Sequence, residues 1–222
     1  MNIHDAIQDR HSVRSFTDKK IDGDVLEQLK DEVAACNEEG VLHIQLLTDE
    51  PKAFDSMLAR YGKFSNVKNY FALVGKKTPD LEEKCGYYGE RLVLKAQQLG
   101  LNTCWVGMSY SRGKAPIQVN SGEKRVIVIA LGYGVDSGVS HRVKPLEEIC
   151  RVSNETMPPW FLQGMEAVQL APTAMNQQKF LFELNGTKVK ASAGSGFYTR
   201  VDLGIAKYHF EVGAAGADWL WA

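Results

Sequence analysis

The chain has 222 residues, 44% of them hydrophobic and 24% charged, with 26 Lys and Arg against 27 Asp and Glu and a formal net charge of -1. This is the composition of an ordinary soluble globular domain, or of two small ones sharing a core, and it offers no electrostatic grip on nucleic acid or on an anionic membrane surface. Cys36, Cys85, Cys104 and Cys150 show no CxxC and no histidine at metal spacing, which argues against a zinc site or a disulfide framework; no metal is expected, no apolar run reaches the roughly 18 residues of a membrane span, and a cytoplasmic location is expected.

Asn2 can cap a helix from Ile3 to Asp9. Arg10 to Phe16 then reads RHSVRSF, with two guanidiniums, an imidazole and a hydroxyl within five residues. If extended, this stretch turns Arg10, Ser12 and Arg14 one way and His11 and Val13 the other, forming an anion cradle. Arginine suits phosphate because its planar fork donates paired, charge-assisted hydrogen bonds. Taken by itself the stretch reads first as a solvated basic segment, since short basic runs are usually surface. Ile21 as staple and Asp22 as N-cap open a second helix, with Val25, Leu26, Leu29 and Val33 inward, running to Ala35. Val41 to Thr48 is strand-like, and Pro51 introduces a helix with an apolar face of Phe54, Met57, Leu58 and Tyr61, stopped by Gly62.

Tyr70 to Val74 reads as a buried strand, and Cys85 to Leu99 as a helix with Leu92, Val93, Ala96 and Leu99 inward and Gly100 as its cap. LNTCWVG follows as a turn. Val126 to Leu131 is apolar at every position, the pattern of a strand covered on both faces, and is the candidate sheet centre. GYGVDSG after it lacks the GxGxxG spacing and a following helix, so a Rossmann nucleotide site is not expected. In the second half, Pro158 and Pro159 introduce a helix carrying Phe161, Met165 and Val168 that ends before Pro172. Lys179 to Leu184 and Thr187 to Ala193 form strands around an Asn185-Gly186 type I′ turn, and Thr199 with Asp202 resembles a capping box for a last helix to Ala214. VAAC at Val33 to Cys36 matches VQLA at Val168 to Ala171, and GLNTCW matches AAGADW, which suggests a diverged internal duplication.

RHSVRSF, APTAMNQQKF at Ala171 to Phe180, GLNTCWVG, VIVIALGYG and HRVKPLEE together resemble the FMN-dependent nitroreductase family. That family's pattern is R-[RH]-S-x-R near the N-terminus, A-P-S-x-x-N-x-Q-P-W, G-L-G-[ST]-x-W-x-G, and a basic pair after the last sheet strand. The resemblance implies an α+β nitroreductase-like fold, a central and mostly antiparallel sheet flanked by helices, in two pseudo-symmetric halves. Members place the proline turn soon after the arginine motif; here it lies far downstream, and AACNEEGV at Ala34 to Val41 stands in the early position without proline. The chain is therefore similar to the subgroup built as monomeric pseudo-dimers: one domain over 1–222, with a phosphate-binding half at 1–150, a flavin-ring half at 151–222, and one complete FMN site.

The same resemblance implies roles. Arg10, His11, Ser12 and Arg14 would hold the FMN phosphate and ribityl chain, assisted by Arg142 and Lys144, for which a solvated loop is the even alternative. Pro172, Thr173, Ala174 and Asn176 would line the isoalloxazine, and a backbone N–H of Val106 or Gly107 would face flavin N5. No residue is named as catalytic, because the flavin carries the chemistry. Trp105, Trp160 and Tyr198 are pocket walls or core, His141 reads as a loop residue, and Lys179 and Phe180 replace the family's proline and tryptophan. The implied activity is electron transfer from NADH or NADPH to a nitroaromatic, quinone or similar small acceptor. The alternative is a flavin- or small-ligand-binding protein of the same fold that has lost turnover.

Overall fold

The computed structural model describes residues 1–153 and 156–222. Its described helices are α1 (Ile3–Asp9), α2 (Gly23–Gly40), α3 (Met57–Tyr61), α4 (Leu81–Gln98), α5 (Leu146–Ile149), α6 (Pro159–Gln169) and α7 (Thr199–Gly213). The strands are β1 (Gln45–Leu47), β2 (Asn69–Lys76), β3 (Asn102–Val106), β4 (Glu123–Gly132), β5 (Cys150–Val152), β6 (Phe180–Asn185), β7 (Lys188–Ala193) and β8 (Leu220–Trp221). The fold is α+β, with the strands divided between two sheets. The first, ordered β1-β2-β4-β3, is antiparallel throughout. Its interior strand β4 carries the all-apolar run Val126 to Leu131, buried along its whole length as that pattern requires. The second, ordered β5-β6-β7-β8, is mixed: the β6/β7 hairpin is antiparallel and both outer pairs are parallel.

α4 and α7 cross between the halves, and glycine permits the crossing. A Cβ on Gly86 would lie 2.0 Å from the Val201 carbonyl oxygen, and one on Gly204 would lie 2.0 Å from the Glu83 carbonyl oxygen. Each glycine thus faces the backbone oxygen three residues before the other, a reciprocal contact that no larger residue could enter without parting the helices. Phe161, Phe182, Phe210, Trp160, Trp219 and Trp221 pack on one another beneath the second sheet. All four cysteines are buried and unpaired, and no described helix is long and apolar enough to cross a membrane.

Local structure departs from the sequence expectations at definable places. α1 carries the anticipated cap, elaborated to a capping box in which Asn2 and Asp5 exchange side-chain and backbone bonds. α2 continues five residues past Ala35; the Asn37 amide then donates to the Ile44 carbonyl at 2.9 Å and accepts from its N–H at 2.6 Å, folding the chain back onto the sheet. Of Val41 to Thr48, only Gln45–Leu47 is a regular strand, joined to an isolated bridge between Leu42 and Gly75. α3 is one short turn anchored by buried Ala59, so Met57, Leu58 and Tyr61 point outward at 87%, 58% and 89% exposure and form no buried face. α4 begins four residues before Cys85, and LNTCWVG is an edge strand where a turn was expected. In the β6/β7 hairpin Asn185 is still paired with Lys188, so Gly186 (φ 59°) and Thr187 form the loop, a type II′ pattern in place of I′.

Candidate functional site

The N-terminal stretch runs alongside β3. Ser12 bridges Thr103 in parallel, and Val13 N–H donates to the Thr103 carbonyl at 3.0 Å. Extended pairing fixes the alternation of side chains. Arg10, Ser12 and Arg14 face a cleft, Val13 is buried on the other side, and His11 lies against Gly138, where an added Cβ would come within 2.8 Å of the His11 Cβ.

The cleft has two connected parts, of about 140 Å³ and 320 Å³, with Ser12, Arg14, Pro172, Thr173 and Met175 in both walls. Together they fall within the ~300–1,000 Å³ common for small-molecule sites. One end is cationic and polar, with Arg10, Ser140, His141 and Asn176. The other is a smaller, more enclosed space lined by more apolar side chains, among them Trp105, Ile127, Tyr198, Val201 and Ile205, with Gly107, Cys104 and Asp202 also in its wall.

Arg10 is 4% exposed, and its Nε is the one buried side-chain nitrogen or oxygen without a hydrogen-bond partner among the described residues. The carboxylate facing it, Glu90, stands 3.9 Å away. Burial lowers the Arg10 pKa while Glu90 opposes the shift. Because an unpaired buried donor is costly, this guanidinium is prepared for an acceptor arriving from the cleft.

The opposite wall is the turn between α6 and β6. Pro172 ends the helix, a single 3-10 turn follows at Ala174–Asn176, and Met175, Asn176 and Gln178 all have left-handed φ, of 53°, 53° and 44°. Gln178 holds this turn closed. Its N–H donates to Thr173 Oγ1, its amide donates to the Arg142 carbonyl and to Asn176 Oδ1, and its Oε1 accepts from Lys144 N–H. The expected Thr199/Asp202 capping box does not form. Tyr198 is the N-cap, at φ 59°, and the Asp202 carboxylate instead accepts from Ala174 N–H at 2.9 Å and from the Gln177 amide at 2.7 Å. Burial pushes the Asp202 carboxyl up to about 6, against the downward pull of those two bonds.

Not every anticipated residue reaches the cleft. Arg10, Ser12, Arg14, Gly107, Pro172, Thr173, Ala174 and Asn176 line it, but Asn176 sits at the Arg10 end, with its amide engaged by the Arg142 carbonyl and Gln178. His11 and Val106 lie outside the lining, Val106 being buried in the first sheet's core. Arg142 contributes its carbonyl to the turn, and Lys144 Nζ donates to the Gln178 carbonyl, so both support the wall without lining it. Trp105 and Tyr198 are walls, whereas Trp160 stacks on Trp219 in the core at 6.3 Å. His141 lines the cationic end, its Nε2 donating to the Gln169 carbonyl, and burial lowers its pKa. Asp202, Gln178 and Cys104 went unread as site residues. The first was masked by its helix-start position, the second by the plainness of a QQ pair, and the third by its place in a presumed turn.

Residues 2–214 match the family described as "Putative TM nitroreductase". No curated protein matches the chain significantly. Among solved structures, a "putative nitroreductase" from Thermotoga maritima is 24% identical, with 96% of this chain and 83% of that one covered and a TM-score of 0.68. A "nitroreductase-like protein" from Streptococcus mutans is 14% identical over 65% of this chain and 94% of that one, with a TM-score of 0.54. A "putative nitroreductase in complex with FMN" from Desulfovibrio desulfuricans is 17% identical over 71% and 99%, with a TM-score of 0.51. With all but its last few residues matched by the family as well as by fold, the chain belongs to this nitroreductase family.

Proposed function

We propose that the cleft binds one FMN per chain and that the protein is a flavin oxidoreductase passing electrons from NADH or NADPH to a small organic acceptor such as a nitroaromatic or quinone. The observation that carries this reading is the buried Arg10, whose Nε has no hydrogen-bond partner, at one end of a cleft whose other end is walled by Trp105 and Tyr198. The donor set suits a phosphate-ended, ring-bearing molecule: Arg10, Arg14 and Ser12 for the phosphate and its polyol chain, Thr173 and Ala174 beside the ring. FMN, when bound, supplies two-electron redox chemistry that no side chain here provides.

The chain's own contribution is position and shielding. Tyr198 OH donates to the Gly107 carbonyl at 3.2 Å, and Arg112 Nη2 donates to the same oxygen at 3.3 Å. Both fix the peptide that borders the apolar end. Val201 and Ile205 from α7 and Ile127 from β4 keep that end dry. Asp202 ties the first turn of α7 to the Ala174–Gln177 turn, so the wall does not open independently of the helix.

The reading of one flavin and not two draws support from the reciprocal contact of Gly86 and Gly204. Matching these glycines places Glu83, Lys84 and Tyr87 where Val201, Asp202 and Ile205 line the cleft. There Glu83 pairs with Lys207 at 2.7 Å, Tyr87 hydrogen-bonds Glu211, and Lys207 lies 4.6 Å over the Trp221 ring. The mirrored place is filled by its own side chains, which supports reading the chain as a fused and asymmetric pair, monomeric in solution. Titration of apoprotein with FMN tests this: one equivalent binds per chain, and NADH or NADPH bleaches the bound flavin under anaerobic conditions. Two equivalents would refute the asymmetric site; tight binding without bleaching would favour a flavin-binding protein without turnover.

A further inference from the structure

Glu90, in the middle of α4, and His209, in α7, are both fully buried. One Glu90 oxygen contacts His209 Nε2 at 2.9 Å, and the other accepts from Trp105 Nε1 at 3.0 Å. The far nitrogen of the imidazole, Nδ1, lies 2.9 Å from the Ala167 carbonyl. A carbonyl can only accept, so Nδ1 carries a proton. The second contact then needs a proton between Nε2 and the carboxylate, held by either partner. In both arrangements the His209–Glu90 pair is neutral as a unit. Because that pair is neutral overall, it leaves the Arg10 charge incompletely balanced, and at 3.9 Å, within ion-pair range, Arg10 Nε makes no hydrogen bond to Glu90.

We infer that His209 is a positioning residue for the anion end of the cleft: it neutralises Glu90, which would otherwise capture Arg10, and so leaves that guanidinium free for a ligand's phosphate. His209 itself lines neither part of the cleft. Glu90 is retained in this arrangement because its second oxygen holds Trp105 at the apolar end. The protein thus keeps a carboxylate beside its anion site without letting it compete with the anion. Without His209, Glu90 and Arg10 are opposite charges in a buried setting, and they close into an internal ion pair that a phosphate must break.

The inference rests on the flavin reading only for the choice of ligand. The experiment compares FMN, riboflavin and inorganic phosphate binding to the full-length apoprotein by calorimetry. His209→Gln keeps a donor toward Glu90 but adds no charge. It lowers FMN affinity by about tenfold, the scale of one charge-assisted contact, with riboflavin within about twofold. Adding Glu90→Gln to that variant restores the preference for FMN over riboflavin, because the competing charge is gone. A merely structural role predicts the reverse, since a second buried substitution compounds damage. Equal loss for both flavins in the single variant, or no recovery in the double one, overturns the inference. Should the variants not fold, side-chain ¹⁵N NMR of the parent decides: a ring with a proton on Nδ1 and one shared with Glu90 supports it, and a bare Nε2 beside an ionised carboxylate overturns it. If the parent binds phosphate in a His209-dependent way but no flavin, the flavin reading falls and this inference stands.

Discussion

Replacing Asp202 with Asn should make the apoprotein more stable relative to the parent as pH rises. Burial holds the Asp202 carboxyl at about 6, against its ordinary 3.8. A folded-state pKa above the unfolded one means that the folded chain holds the proton more tightly. The group's contribution to stability is therefore complete below about pH 4 and is lost as pH rises through 6. The difference of roughly two units corresponds to about 3 kcal/mol between the fully protonated and fully ionised limits, of which about 2–3 kcal/mol falls between pH 4 and pH 7. Asn has no such titration. Its single oxygen can serve either Ala174 N–H or the Gln177 amide but not both, a pH-independent loss of about 1 kcal/mol. Urea unfolding of the parent and of Asp202→Asn, followed by tryptophan fluorescence across this pH range, separates the two effects, since only the carboxyl makes their difference in stability change with pH. A difference that stays flat, or that moves in the parent's favour as pH rises, would refute the claim that the fold keeps this carboxylate at a cost.

Other outcomes follow from the same geometry. Arg14→Ala should weaken FMN by about tenfold and riboflavin much less, with added salt narrowing the gap in the parent, as read by fluorescence quenching. Gly86→Ala should cost more than about 3 kcal/mol or prevent folding, because the new methyl meets the Val201 carbonyl oxygen, whereas alanine at Gly100, where nothing lies near but φ is +78°, should cost about 1–2 kcal/mol; chemical denaturation distinguishes them. Met175→Gly removes a left-handed methionine that is 94% exposed, and should leave the unliganded protein no less stable while weakening flavin binding through a more mobile wall. Light scattering should report a monomer at low micromolar concentration.

The sequence made some parts of the site readable and concealed others for physical reasons. The alternation of RHSVR survives in the structure because that stretch pairs with β3, and strand pairing enforces a period of two. Val126 to Leu131 was legible because a strand covered on both faces leaves no polar position to confuse it. β3 was not, since Asn102 and Thr103 at its start read as loop, and only pairing with Gly132 and Leu131 makes them strand. The apolar spacing of Met57, Leu58 and Tyr61 misled because the helix that holds them is too short to bury a face, and Ala59 determines which side goes in. Asp202 misled in a more instructive way. An acidic residue in the first turn of a helix is a local signal, but here a tertiary partner, the Ala174–Gln177 turn, outcompeted the local N–H groups for both oxygens. Nothing in the neighbouring sequence announces a partner so far along the chain.

Left-handed backbone outside glycine occurs both away from the cleft, at Val41, Asp49, Lys63 and Asn66, and at it, but the walls of the cleft combine it with buried charge. Arg10 is buried without an acceptor, Asp202 is buried at a raised pKa, and Met175, Asn176, Gln178 and Tyr198 hold left-handed backbone without being glycine. All six stand in the walls of the cleft or directly brace them. At the place that the Gly86 and Gly204 match assigns as its mirror, the carboxylates are satisfied: Glu83 pairs with Lys207, and Glu211 accepts from Tyr87 OH and Trp221 Nε1. A fold relaxing toward stability alone would settle both places in the same way. That one is satisfied from within while the other keeps an Arg10 Nε without a hydrogen bond and a strained turn fits a cleft completed by a ligand, because Arg10 and that turn both border its open space. On this argument ligand binding and folding are linked: FMN should raise the unfolding midpoint of the parent by more than riboflavin does at equal free concentration, since only FMN carries the acceptor that Arg10 lacks and so binds more tightly.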